Sequence, residues 1–422
     1  MFAFFTRRPG LGLFLAVLMF AGGGVLARQA RVTRRSAAPP ALSVARAKPR
    51  LMDWRDRLDL NRATLRGGRL VQTLRDGTKV TFSLDPDLQQ WATTYLRQNE
   101  LPYAAMVMYE LEGSRLLVMA GHSSRDGKMG SQELCLAPWA PAASVFKLVT
   151  ASALLDTGVP ADTKICYHGG LRGLRKHHIV DNPRLDRTCH TLAFAVAKSV
   201  NPIMGKLAVR YLDRRKLRRW SKRFGFNAPV PFELGVQPSK AEVPKGDLEL
   251  ARVAAGFWHT EISVLHGAVL GGVAASGGLL KWPGIVERVR RANGRTEIPD
   301  RPEPKRVMSR TAAKELAEMM VRTTTMGTGR RGFFSRRGRP FLPEIEVGGK
   351  TGSLSRSKPY LHYNWFVGFA PAKKPRVAFA VLLGNPARWR IKAHTAARML
   401  LDQYLKSRKG TGPVADRRIA RR

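Results

Sequence analysis

Between Val145 and Leu155 the chain runs without glycine or proline, after Pro138 and Pro141 and before Gly158 and Pro160. An apolar run between such breakers predicts a helix. Its entrance constrains the chain most. Ser144 stands just before the run and Lys147 three places later. Residues three apart share one helix face, so the Lys147 amine reaches back to the Ser144 hydroxyl at the helix N-terminus. A hydroxyl, an adjacent amine and helix-end N–H groups are the parts of an activated nucleophile with a place for an oxyanion. Taken alone the spacing is weak. Ser355 and Lys358 repeat it in a segment that reads as a polar loop, and a serine before a helix is commonly only an N-cap.

Two later motifs add weight. Ser199-Val200-Asn201 supplies a hydroxyl and an amide within a helical pattern from Leu192 to about Leu212. Pro202 disfavours helix at Asn201, so the trio lies in that helix or at a break in it. Lys350-Thr351-Gly352 supplies a cation, a hydroxyl and a residue without a side chain.

Around these motifs the period of the chain changes twice. Val80–Asp85, Ala104–Tyr109 and Arg115–Ala120 read as strands, the last two joined through Glu112-Gly113. Asp87–Asn99 is helical, with Leu88, Trp91, Ala92, Tyr95 and Leu96 as a core stripe. Helices are predicted at Lys216–Gly225 (its cations a solvated face), Asp247–Gly256, Ser263–Ser276 and Thr311–Thr325. Strands return at Tyr363–Ala370 and Arg376–Leu383, and Ile391–Leu405 closes as a helix. Strands on both sides of a helical middle predict an α+β domain, one sheet assembled from both chain ends with an inserted all-helical subdomain. The domain is placed at 79–406. Residues 51–78 form a short N-terminal segment with hairpin-like turns at Gly67-Gly68 and Asp76-Gly77, and 407–422 a basic disordered tail.

The charge is extreme: 73 Lys plus Arg against 31 Asp plus Glu, a formal net charge of +42. Such a balance suits an anionic partner. The cations are scattered and no nucleic-acid motif accompanies them, so nucleic acid is excluded and an anionic cell envelope is expected. Residues 1–27 hold an apolar stretch, Leu11 to Ala27, preceded by Arg7 and Arg8. It reads as a membrane anchor or as a signal sequence cleaved after Ala27, and either places the catalytic bulk outside the cytoplasm. Residues 28–50, rich in Arg, Ala and Pro, read as a linker. Cys166 and Cys189 flank a Gly- and His-rich loop and fit a disulfide in that compartment, with Cys135 left over. Free thiols remain open. A metal site drawn from Cys166, His168, His177, His178, Cys189 and His190 matches no standard zinc spacing, and no metal or cofactor is expected.

The trio resembles the signature of penicillin-binding proteins and β-lactamases. Over roughly 79–406 the chain resembles the penicillin-binding transpeptidase domain in further stretches. These are Ser83-Leu84-Asp85-Pro86-Asp87-Leu88-Gln89, Ala275-Ser276-Gly277-Gly278 with Trp282-Pro283, Gly327-Thr328-Gly329, and Trp365-Phe366-Val367-Gly368-Phe369-Ala370-Pro371. The resemblance implies an antiparallel sheet flanked by helices. Two departures go with it: no glycosyltransferase-like segment, and only residues 28–78 where a large pedestal is usual. Ser353 stands where the family more often has Thr.

By resemblance, the activity is a D,D-transpeptidase that crosslinks peptidoglycan stem peptides through a serine acyl-enzyme. Ser144 would attack, Lys147 take its proton, Ser199 relay a proton to the leaving amine, and Asn201 orient Lys147. Lys350 would lower the Lys147 pKa and, with Thr351, hold the substrate carboxylate. Gly352 would admit the substrate backbone, and the amides of Ser144 and Ser353 would form an oxyanion hole. β-Lactams would be covalent inhibitors, the membrane would be met through the N-terminal segment, and a peptidoglycan glycosyltransferase is an expected partner. Alternatives on the same fold are a D,D-carboxypeptidase, a β-lactamase, or a non-catalytic β-lactam-binding envelope sensor.

Overall fold

Five strands make the central sheet: β1 (Tyr103–Glu110), β2 (Leu116–His122), β3 (Gly348–Ser357), β4 (Tyr360–Ala370) and β5 (Val377–Asn385). Their order is β3-β4-β5-β1-β2, antiparallel throughout, so strands from the two chain ends meet where Val381 lies opposite Met106. This is the α+β sheet expected from the sequence. The structure is a computed structural model and describes residues 53–127 and 129–409. The apolar stretch Leu11–Ala27, the linker 28–50 and positions 410–422 lie outside the described residues. Among the described residues no helix is long and apolar enough to cross a membrane.

The helices that position the site are α1 (Pro86–Gln98), α2 (Lys147–Asp156), α3 (Leu192–Lys198), α4 (Asn201–Tyr211), α5 (Asp247–Ala255), α6 (Val264–Ala275), α7 (Arg310–Thr325) and α8 (Ala393–Lys409). Asp85 caps α1 by accepting from the Leu88 amide at 3.1 Å. Leu88, Ala92 and Leu96 of α1 join Leu400, Leu401 and Tyr404 of α8 on one face of the sheet. The other face carries α6, buried from Val264 to Ala274 and apolar except for His266, whose Nε2 meets Phe224 O at 2.7 Å, as a helix without a solvated face must be. Its approach is very close: a Cβ on Gly271 would fall 2.7 Å from the Gly368 amide nitrogen.

Four expectations need correction. The segment 51–78 is not separate from the domain. Its hairpin, Thr64–Arg66 with Arg69–Thr73, continues onto Lys79–Phe82 and then onto Val286–Arg290 and Thr296–Glu297 in a second five-stranded sheet. Trp54 is fully buried and its indole N–H donates to Glu297 Oε1 at 2.7 Å. The partner strands are contributed from far along the chain, which local pattern does not reveal. The C-terminal helix runs to Lys409 instead of ending near 406. Its late cations suit the negative helix end, and Arg408 pairs with Glu110 at 2.8 Å. Trp91 and Tyr95 stack at 4.9 Å but are only partly buried. Finally, Ser355 lies on β3 and not in a loop.

Candidate active site

The nucleophile candidate sits in a tight turn. Ala143–Phe146 is a 3-10 turn that passes directly into α2 at Lys147. Ala143 takes a left-handed backbone, φ +48°, at a cost of about 1 kcal/mol for a residue with a Cβ. Against this turn presses Gly256, the residue after α5, at φ +83°. A Cβ there would fall 1.8 Å from the Ala143 carbonyl oxygen, so only glycine fits. This approach brings the end of α5 under the site.

Every residue from Lys147 to Leu155 is buried, so the lysine emerges in an apolar helix. Its amine has three neighbours: Ser144 Oγ at 2.9 Å, Asn201 Oδ1 at 2.7 Å and the Ala255 carbonyl at 2.7 Å. Burial, then the nearby charge of Lys350, hold Lys147 well below the usual lysine pKa. A neutral amine has two N–H groups and one lone pair. Asn201 and Ala255 take the two N–H groups, which leaves the lone pair for the Ser144 hydroxyl proton. The arrangement can therefore deprotonate Ser144 without an external base.

Ser199 ends α3 in a left-handed conformation, φ +58°, and α4 starts two residues later at Asn201. Of the two placements left open by the sequence, the trio lies at a break. The break falls at Ser199 and Val200, and Asn201 is already the first residue of α4, with Pro202 in its first turn. Asn201 is fixed on its other side, its amide donating to Leu171 O at 2.8 Å and its Nδ2 to Arg172 O at 2.9 Å. With Nδ2 turned to Arg172 O, its Oδ1 is aimed at Lys147.

The third motif arrives on the sheet edge. Lys350 of β3 is fully buried, and its Nζ donates to Ser199 Oγ at 3.1 Å and to Thr351 O at 3.0 Å. Burial lowers its pKa to about 7. Thr351 Oγ1 lies 2.5 Å from Thr328 Oγ1, and the Thr328 amide donates to Ala197 O at 3.0 Å. At Gly352 a Cβ would stand 3.1 Å from Val145 Cγ2 and 3.3 Å from Ala142 O, and the Trp365 indole of β4 donates to Pro141 O at 2.9 Å. Strand β3 therefore lies directly along the Ser144 turn. Ser353 Oγ is 3.3 Å from both His362 Nε2 and Asn364 Nδ2.

Ser144, Lys147, Ser199, Asn201 and Lys350 thus converge on one groove, with Thr351, Gly352 and Ser353 along its strand edge. Cys166 and Cys189 are disulfide-bonded across a two-stranded ladder, Lys164–Tyr167 with Thr188–Thr191, and Cys135 is buried with its thiol pKa raised by burial. Sequence reasoning missed the Ala255, Leu171 and Arg172 carbonyls, which have no side-chain signature. It also missed Gly256, whose one signal was its place after a helical pattern, and it gave Thr328 no role.

The profile described as "Penicillin binding protein transpeptidase domain" matches residues 104–402. The chain is 26% identical over 260 residues to the Peptidoglycan D,D-transpeptidase PbpA of Mycobacterium tuberculosis, covering 58% of this chain and 50% of that protein. It is 29% identical over 262 residues to Stage V sporulation protein D of Bacillus subtilis, covering 58% and 38%. The chain therefore spans half or less of the length of these curated relatives. Among solved structures, the D,D-transpeptidase domain of a peptidoglycan glycosyltransferase from Eggerthella lenta superposes with a TM-score of 0.67 at 25% identity, covering 80% of this chain and 85% of that one. The M. tuberculosis penicillin-binding protein A imipenem acyl-enzyme complex gives 0.65 at 22%, covering 78% and 80%.

Proposed function

Since this chain belongs to the penicillin-binding protein transpeptidase domain family, we propose that it is a serine D,D-transpeptidase that crosslinks peptidoglycan stem peptides. The observation that carries this reading is the Lys147 amine, buried, depressed in pKa and shared among Ser144, Asn201 and Ala255. Ser144 Oγ attacks the penultimate D-alanine carbonyl while its proton passes to Lys147. The tetrahedral oxyanion is received by the backbone amides of Ser144 and Ser353. Ser199, held by Lys350, passes a proton to the departing amine, and terminal D-alanine leaves. An amine from a second stem peptide then opens the ester. Thr351, Ser353 and Lys350 would bind the substrate carboxylate, and Gly352 leaves the strand edge bare for the substrate backbone. The activity implies work at the cell envelope on a peptidoglycan substrate; the anchor at Leu11–Ala27 and a glycosyltransferase partner belong to the same proposal.

The test is acylation by a penicillin followed by mass spectrometry of the tryptic peptide containing Ser144. The adduct is expected there and nowhere in Ser144→Ala. A wild-type chain that takes no adduct refutes the assignment. Product analysis with an acceptor amine then separates crosslinking from trimming: crosslinked stems are expected, and shortened stems alone would make the enzyme a carboxypeptidase.

A further inference from the structure

Three imidazoles crowd the loop whose carbonyls hold Asn201. His168, His177 and His178 each offer a ring nitrogen, and the three lie within 4.8 Å of one another. His168 follows the disulfide-bearing strand Lys164–Tyr167, while His177 and His178 belong to a 3-10 turn, Lys176–His178. The three ring centroids are 4.2 to 5.5 Å apart. Cys166 and Cys189 are spent on each other, and His190 stacks on Phe194 at 3.7 Å. The six-residue set raised by the sequence therefore reduces to three imidazoles.

His168 is prepared in a particular way. Its Nδ1 meets Asp186 Oδ1 at 2.6 Å, and a carboxylate there holds the proton on Nδ1. The remaining nitrogen, Nε2, then carries a bare lone pair. That atom is buried and has no hydrogen-bond partner. A carboxylate behind one imidazole nitrogen with the other left open is the usual support for a metal-ligating histidine, whereas an unsatisfied buried acceptor is otherwise only a cost. Asp186 is itself held by Lys206 at 2.5 Å and by the Asn182 amide at 2.8 Å.

We propose that His168, His177 and His178 form a site for a borderline transition-metal ion of the zinc class, with Asp186 orienting His168 and water in the fourth position. Three neutral nitrogen donors suit such ions over magnesium or calcium. At metal–nitrogen distances of about 2 Å the three atoms must draw in to about 3.3 Å of one another. His177 is exposed, on the solvent side of the cluster. His178 joins at the expense of the bond its Nδ1 accepts from the Arg175 amide at 3.0 Å. The site is independent of the acyl-transfer reading. Its ligands bracket Leu171 and Arg172, whose carbonyls hold Asn201, so an ion would clamp the loop that aims Asn201 at Lys147.

Cobalt(II) titration of the untagged chain tests the site, because tetrahedral cobalt has a distinctive visible spectrum. One equivalent is expected to bind with tetrahedral bands, to be displaced by zinc, and to raise the melting temperature. His177→Ala removes an exposed ligand without disturbing the core, and should weaken binding at least tenfold with the apo melting temperature unchanged. His122→Ala, on a sheet strand outside the cluster, should bind as wild type. Absence of stoichiometric tetrahedral cobalt in the wild type, or its retention in His177→Ala, overturns the proposal.

Discussion

The groove holds two serine–lysine pairs built in opposite ways. Ser144 and Lys147 are neighbours on one turn, and their contact of 2.9 Å follows from helical spacing alone. Ser199 and Lys350 are 151 residues apart and meet at 3.1 Å only because an edge strand closes over a helix break. Both lysines are fully buried. The local pair is fixed further by Asn201 and Ala255, while among the described residues the Lys350 amine meets Ser199 and the adjacent Thr351 carbonyl. The difference suggests a division of work: the local pair makes the nucleophile, and the assembled pair positions the substrate and the returning proton.

The largest effect should separate the pairs. Lys147→Ala removes the proposed base, and penicillin acylation should fall by about 10³-fold or more. Lys350→Ala should cost about 10²-fold, mostly as a weaker apparent affinity for ligands with a carboxylate. Stopped-flow acylation with a carboxylate-bearing β-lactam and a neutral ester analogue measures both. Equal losses in both variants, with no dependence on the carboxylate, would erase the proposed division.

Gly256→Ala comes next. The added methyl cannot coexist with the Ala143 carbonyl, so either the turn or the end of α5 must move. Acylation should drop by about 10²-fold, with a stability loss of about 2 kcal/mol from strain and overpacking. A variant that acylates normally would show that the Ala255 carbonyl is not needed to hold Lys147.

The legible part of the site is what local spacing controls. Ser144, Lys147 and the break at Ser199 could be found from proline positions and helix period, and the order of strands and helices gave one sheet built from both ends. The meeting of Ser199 with Lys350 was legible only through resemblance, because no local rule pairs residues so far apart. The joining of the Gly67-Gly68 hairpin to Val286–Arg290 in one sheet, and the contact of Trp54 with Glu297 on that sheet, were not legible for the same reason. Carbonyls that hold Lys147 and Asn201 are invisible in a list of side chains.

pH gives a smaller and more diagnostic effect. The proposed base must be neutral, so acylation should rise with pH at values well below the ordinary lysine range and level off once Lys147 has lost its proton. Lys350 adds a stability signature. Its pKa is about 7 in the fold against 10.5 for an ordinary lysine, so between these values the unfolded chain holds a proton the native chain lacks. Native stability should therefore rise with pH across that window. Melting temperatures should show this rise in the wild type and a flatter profile in Lys350→Met. An unchanged profile would mean that Lys350 stays charged in the native state.

The smallest expected effect belongs to the second serine–lysine spacing, Ser355 and Lys358. The letters repeat those at Ser144 and Lys147, but Ser355 lies on β3 and Lys358 in the turn before β4. The chain has left the strand by Lys358, so the helical spacing that brings an amine back onto a hydroxyl three residues earlier does not apply here. Ser355 Oγ instead meets His362 Nδ1 at 2.7 Å, and His362 Nε2 faces Ser353 Oγ at 3.3 Å. His362 is held to a pKa of about 4 by burial, so near neutral pH its ring carries a single proton. If the Ser355 hydroxyl donates to Nδ1, that proton sits on Nε2 and points at Ser353, which then turns its own hydrogen toward a bound carboxylate. Ser355→Ala should therefore leave the maximal acylation rate unchanged and weaken apparent affinity by about twofold, a loss of about 0.4 kcal/mol, below the usual net worth of a direct hydrogen bond. A fall in the maximal rate comparable to that of Lys147→Ala would mean that the wrong serine–lysine pair had been assigned.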